Sequence, residues 1–330
     1  MIRELTRRRL VALLGAAAAL PLAARAQQPA VPTIGYLGAE SPTRFASRLQ
    51  AFREGLRTTG YRESENVTIE YRRAEGHNDR LPALAAELAR REVAVIAAPG
   101  SVTSALAAKA ATSTIPVVFE MGADPVAVAV VDSLSRPSRN ITGVTSLNAE
   151  VAPKRLELLH ELIPTASHLG LLVNPTNPQN AAVTTRDLQA AARKLGGELH
   201  VMQASTEGEF EDVVAALARL QAPLVIANET FFANRSEQLA AVALRHSLPA
   251  AHQSREFAVA GGLLGYGGSV AESHRQAGVY VGRILHGEKP ADLPVQQVTK
   301  VEMFVNLRTA KAFGLDVQLS FLGRADEVFE

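Results

Sequence analysis

Gly100-Ser101-Val102-Thr103 sets two hydroxyls directly behind a glycine, where a short apolar run, Val93–Ala98, gives way to a small-residue helical stretch. Such a place can hold an anion. The glycine lets the backbone turn tightly, and a helix N-terminus offers hydroxyls and free N–H groups where the dipole favours negative charge, a carboxylate for example. Taken by itself, Ser101 reads first as an N-cap. A second β-rich run, Ile115–Phe119, ends in Met121-Gly122-Ala123-Asp124-Pro125, where Asp124 reads either as a cap or as a ligand contact. Asn174 and Asn177 flank prolines after another apolar run, a pattern that turn chemistry also explains. In Asn228-Glu229-Thr230-Phe231-Phe232 two adjacent aromatics follow a buried strand, so one should be exposed unless the next helix covers it. Tyr266, between Gly265 and Gly267, is either a cleft residue or a packed one. Glu40 and Ser41 follow the first strand, with Pro42 suited to the first position of a helix that Ser41 would cap. Gln253 and Glu256 complete the rim.

Catalytic patterns are lacking. There is no G-x-S-x-G elbow, Walker loop or dinucleotide fingerprint. The eight histidines (77, 160, 168, 200, 246, 252, 274 and 286) are scattered without HExxH or paired ligand spacing, so no metal site, catalytic residue or cofactor is expected. Glu87, Glu92 and Glu161 have basic neighbours on helices, and surface ion pairs account for them.

The candidate loops all follow strand-like runs that alternate with helical ones, the pattern of βαβ units in a parallel sheet, whose ligands bind beyond the carboxyl ends of the strands. Thr33–Leu37 and Val67–Tyr71 read as strands. The intervening helix carries Phe45, Leu49, Phe52 and Leu56 on one face, and the helix from about Asp79 buries Leu81, Leu84 and Leu88. A short helix is expected from Pro125 to about Leu134, then a strand, Asn140–Ser146. The series then restarts: helix Lys154–Ile163, strand His168–Val173, a long helix ending near Gly196, strand Leu199–Gln203, helix Glu207–Leu220, strand Pro223–Ala227, helix Ser236–Arg245 and strands Pro249–Gln253 and Gly262–Tyr266. The tail reads as helix Val270–Leu285, a linker-like Lys289–Pro294, strand Val301–Asn306 and helix Arg308–Phe313. Two βα series of similar size predict an α/β fold of two Rossmann-like lobes with parallel sheets. Crossings near Thr145, Tyr266 and Lys300 would join them as a three-stranded hinge. The expected lobes are 32–145 plus 267–299 and 146–266 plus 300–330.

At 330 residues, 47% hydrophobic and 20% charged, the chain can bury two cores. Cysteine is absent, which excludes disulfides, thiolate metal sites and a cysteine nucleophile. Arg7-Arg8-Arg9 precedes the apolar run Leu10–Ala23, and Ala24-Arg25-Ala26 has the small-x-small form of a signal-peptidase site. Residues 1–26 therefore read as a cleaved export signal. It matches the twin-arginine pattern except for Leu10 where Phe is usual, and its basic start suits a plain Sec signal as well. Removing five of the 34 basic and one of the 33 acidic residues leaves 29 against 32, which withdraws support for a nucleic-acid partner.

The phrases LPLAARAQQP, GYLGAESP, LVNPTNP and GEKPADLPVQQ, with Ala85–Ala98, Ile115–Pro125 and Ala260–Tyr266, make the chain resemble the periplasmic solute-binding components of ABC transporters with the type I binding-protein fold. The resemblance extends over nearly the whole chain, and some relatives bind aromatic amino acids. It implies two lobes closing on a small solute, first of all an amino acid or other small carboxylate, and delivery to an ABC permease in the inner membrane. The protein would be a periplasmic monomer without nucleic-acid partner. Ser101 and Thr103 match positions that hold the ligand carboxylate in such proteins, and Gly122 and Asp124 the neighbouring loop. Asp124 or Glu229 would then pair with an ammonium group, and Phe231, Phe232 or Tyr266 would pack on the side chain. The remaining binding candidates are Ser41, Asn174 and Asn228. A sensor presenting its closed form to a membrane receptor is the alternative, and an exported α/β hydrolase a weaker one.

Overall fold

The computed structural model describes residues 31–39, 46–137, 139–146, 148 and 150–330. The export-signal expectation and the readings of Glu40, Ser41 and Pro42 fall outside them.

The first lobe begins with strand β1 (Thr33–Gly38), helix α1 (Ala46–Thr58), β2 (Thr68–Arg73), α2 (Leu81–Arg90), β3 (Val95–Ala98), α3 (Val102–Ala111), β4 (Val117–Met121) and β5 (Ile141–Ser146). The chain then crosses into α4 (Ala152–Leu162), β6 (His168–Val173), α5 (Pro178–Lys194), β7 (Glu198–Gln203), α6 (Glu209–Arg219), β8 (Leu224–Ile226), α7 (Thr230–Ala233), α8 (Ser236–Arg245), β9 (Ala250–His252), α9 (Arg255–Val259) and β10 (Leu264–Gly268). It returns as α10 (Val270–Leu285) and β11 (Gln296–Val298), and crosses a third time into β12 (Val301–Asn306), α11 (Leu307–Ala312), α12 (Leu319–Leu322) and β13 (Glu327–Phe329).

Two sheets result, ordered β11-β5-β4-β3-β1-β2 and β13-β12-β10-β9-β8-β6-β7. Both lobes have helices over their faces, which is why β1, β3, β4, β6 and β8 are near-continuous apolar runs. The first sheet is parallel throughout. The second departs from the expected all-parallel sheet at one place, because β12 pairs antiparallel with β10, Gly268 opposite Val301. A strand arriving straight from the hinge starts at the cleft end and must run back.

The helix expected after Pro125 is instead a series of turns. Asp124 caps it as a helix start would, accepting from the N–H groups of Val126 at 2.8 Å and Ala127 at 3.3 Å. Val126, Val128, Val130 and Val131 are poor helix formers, however, and Ala129 adopts a φ of 57° that no helix accommodates. Two short edge strands, β11 and β13, were not expected from sequence, nor was α9.

At the hinge, Asn148 and the fully buried Arg155 join two of the crossings. Asn148 Oδ1 accepts from Gly268 N at 2.9 Å, and Arg155 donates from Nε to the Tyr266 carbonyl at 2.9 Å and from Nη2 to the Asn148 carbonyl at 3.4 Å. Ser269 N donates to the Lys300 carbonyl, tying in the third. Burial lowers the Arg155 pKa to about 10.

Candidate functional site

In each sheet one strand lies between neighbours whose connections lead away in opposite directions: β1 between β2 and β3, β6 between β7 and β8. The crevice beyond such a switch point is where open α/β sheets bind ligands. In the first lobe the Gly100–Ser101 loop after β3 borders it. In the second, Asn174 after β6 and Asn228–Glu229 after β8 do so, and the fold turns these two edges toward each other.

Ser101 caps α3: its Oγ accepts from Ser104 N at 3.0 Å and lies 3.0 Å from Thr103 Oγ1 and 2.8 Å from Ser104 Oγ. The first N–H groups of α3 have no carbonyl partner within the helix. Thr103 in turn donates to Asn78 Oδ1 at 3.3 Å, in the 3-10 turn Asn78–Arg80. Beneath the loop, buried Glu120 accepts from Gly100 N at 3.0 Å and from Ser273 Oγ at 2.7 Å, with His274 Nδ1 at 3.5 Å. Burial pushes the Glu120 pKa up against these donors.

Across the cleft, Glu229 is buried and caps α7, accepting from Phe231 N at 2.6 Å and from Asn174 Nδ2 at 3.3 Å. The side chains of Asn177, and of Asn78 from the other lobe, also favour its charged form, yet burial still raises its pKa. Asn174 serves two ends: its Oδ1 makes the turn to Thr176 while its Nδ2 reaches Glu229. Ser101 and Glu229, with Gly100, Gly122, Asn177 and Asn228, line one interlobe cavity of ≈ 30 Å³. A larger crevice of ≈ 750 Å³ opens beside it between residues 76–79 of the first lobe and Asn174, Thr176, residues 205–207, Phe231 and Arg235 of the second. It lies within the ~300–1,000 Å³ range of small-molecule sites.

The lobes are shut on each other. Thr230 Oγ1 donates to the Gly100 carbonyl at 3.1 Å, Asn234 Nδ2 to the Ala39 carbonyl at 3.4 Å, and Arg48 on α1 pairs with Glu256 on α9 at 3.5 Å. Burial alone would raise the Glu256 pKa, but Arg48 and nearby donors bring it below the usual value. A Cβ on Gly122 would meet the Asn228 amide and the Asn148 Cβ, so a larger residue here would have to displace them.

Of the residues singled out from sequence, Ser101, Gly122, Asn228 and Glu229 line the closed cavity, and Asn174 and Phe231 the crevice. Thr103 lines neither but bonds Ser101 of the closed cavity and Asn78 of the crevice. Asp124 is exposed and bonded to its own turn, and Tyr266 packs into the second core beside Met303, so neither borders these cavities. Both aromatics of the second-lobe loop are buried, Phe232 fully, against Phe210; Phe231 keeps 7% exposure under the Arg235 guanidinium, 4.1 Å from the ring centre. Arg48, Asn78, Thr176 and Arg235 were not expected. Asn78 follows a glycine-containing turn, Glu75-Gly76-His77, which is the one local signal for it.

No helix of the described residues is long and apolar enough to cross a membrane. Residues 39–329 match the family model described as ABC transporter substrate binding protein. The tyrosine-binding protein of Clostridioides difficile (strain R20291) is 26% identical over 269 residues, 82% of this chain and 76% of that one. Among solved structures, a conserved domain protein from Vibrio cholerae superposes with a TM-score of 0.84 (23% identity, 90% of this chain, 99% of that chain). An ABC domain from Streptococcus pneumonia in complex with L-Trp gives 0.81 (21%, 90% and 100%). The ligand-free, open structure of a substrate-binding protein with adhesive properties from Clostridium difficile gives 0.67 (24%, 91% and 99%). With the two-lobed type I fold and the family match along 39–329, this chain belongs to the ABC transporter substrate-binding protein family.

Proposed function

We propose that this protein is the extracytoplasmic solute-binding component of an ABC import system and that its solute is an amino acid. The observation that carries the reading is the pairing of opposite preferences on the two walls of one cavity. The α3 N-terminus with Ser101 and Thr103 suits a carboxylate, and the buried carboxyl of Glu229 suits an ammonium group. A solute spanning both walls supplies the charges that each lacks, and it does so only when the lobes are together. Differential affinity for the closed state then shifts the population toward it. The tyrosine-binding relative and the L-Trp complex support an aromatic side chain, for which the crevice beside Phe231 has room.

In this reading residues 1–26 are a cleaved export signal, and the lobes 32–145 plus 267–299 and 146–266 plus 300–330 move as units. The monomeric closed form is what the permease recognises, and the site does no chemistry on its solute.

A thermal-shift screen of amino acids, small carboxylates and purines tests the solute class, since a ligand of the folded state raises the melting temperature. L-tyrosine or L-tryptophan should do so. Ser101→Ala should then weaken that ligand at least about tenfold, as loss of a hydrogen bond to a charged group does, and lower stability by about 1 kcal/mol through the lost cap. An affinity unchanged in calorimetry would remove Ser101 from the site.

A further inference from the structure

On the outer end of the second lobe, three side chains from two neighbouring strands converge. His168 opens β6, Glu198 opens β7 directly opposite it, and His200 follows two residues later on the same face. Strand register alone brings the histidines together across 32 positions, which is why no ligand spacing shows in the sequence. His200 Nε2 lies 3.0 Å from His168 Nδ1, and Glu198 Oε2 lies 3.6 Å from that same nitrogen. One ligand atom from each residue falls within 4.8 Å of the others. Ligand atoms ~2.0–2.1 Å from a tetrahedral ion are about 3.3 Å apart, and the two contacts straddle that spacing.

We infer that His168, Glu198 and His200 form a surface site for a first-row divalent transition metal, Zn²⁺ being the natural occupant. Two imidazole nitrogens and one carboxylate oxygen suit zinc, nickel or copper rather than the oxygen-seeking calcium or magnesium. Three protein ligands leave a fourth position for water, and the partial exposure of all three residues gives an ion direct access from solvent. The ion would pin β7, the last strand of its sheet, to β6. The site sits at the amino ends of these strands and the cleft at their carboxyl ends, roughly 16 Å away at ~3.3 Å per residue. It is therefore separate from the solute site.

Untagged protein, stripped with chelator and titrated with Co²⁺, tests the site. One equivalent should produce the visible bands of a four-coordinate ion, Zn²⁺ should bleach them, and Zn²⁺ should raise the melting temperature. His168→Ala and His200→Ala should each weaken Co²⁺ at least about tenfold, and Glu198→Gln should weaken it while leaving the metal-free melting curve in place. His246→Ala, which removes a histidine paired with Glu211 elsewhere on the lobe, should bind as the unaltered protein does. Absence of saturable bands up to millimolar Co²⁺, or equal binding by the His168 and His200 variants, would overturn the site and leave the two rings as a cross-strand hydrogen-bonded pair.

Discussion

Glu120 holds the Ser101 loop from below. Its carboxyl takes the Gly100 N–H on one oxygen and the Ser273 hydroxyl on the other, in a site without water access. Burial favours the protonated form and raises its pKa above the ordinary 4.5, although Arg48 pulls the other way. An acid whose pKa is higher in the folded state binds more protons there than in the unfolded chain. Its stabilising contribution is therefore complete below about 4.5 and is lost as pH rises through the folded value. Glu120→Gln removes that term. The stability of the unaltered protein relative to the variant, measured by urea denaturation from pH 4 to 8, should fall as pH rises; a flat or rising difference would contradict the assignment. Nothing in the sequence around Phe119-Glu120-Met121 sets this glutamate apart. Its partners at 100, 273 and 274 come together only in the fold. Ser101 was legible because a glycine, a hydroxyl and a helix start announce it locally.

Two helices that lie more than 200 residues apart in the chain, α1 and α10, meet in close contact in the first lobe. Gly55 of α1 faces Arg275 of α10, and Gly278 of α10 faces Phe52 of α1, so closely that a Cβ on either glycine would enter the opposing backbone. Leu56, Phe52, Tyr280 and Val281 fill the surrounding core. Gly278→Ala must push the helices apart or bend them, and should destabilise the fold by about 3 kcal/mol, read as a lower midpoint in denaturant without change of slope. Full stability in the variant would show that the helices have more freedom than this packing grants. The helix α10 itself, Val270–Leu285, stands where the sequence pattern sets it, as do β6 and α8, because the helices' amphipathic period, the apolar run of β6 and the flanking Gly, Ser and Pro agree there. The edge strands β11 and β13 have three residues each and no apolar alternation, and only their neighbours make them strands. Residues 125–134 misled for the opposite reason: a sound helix start precedes valines and a left-handed alanine that end it at once.

The whole molecule is defined by how its halves meet. Sequence order shows that loops after β3, β4, β6 and β8 lie at strand ends, hence near one cleft, and Ser101, Asn174 and Glu229 are found there. It does not show which residues touch across the gap, because that depends on the closing angle. Arg48 with Glu256, Thr230 with Gly100 and Asn234 with Ala39 are visible only in the closed form. In the proposed reading the halves part to admit the solute to the small cavity between Ser101 and Glu229 and close again over it. The absence of cysteine makes that movement directly measurable. Arg80 and Gly208 are exposed on opposite sides of the crevice, and a side chain at Gly208 meets no neighbour, so Arg80→Cys and Gly208→Cys can carry a pair of spin labels. With L-tyrosine or L-tryptophan shown by calorimetry to bind, the inter-label distance distribution should be broad and long without it and collapse to one shorter distance at saturation. A distribution that a bound amino acid leaves unchanged would contradict a solute gripped between two closing lobes.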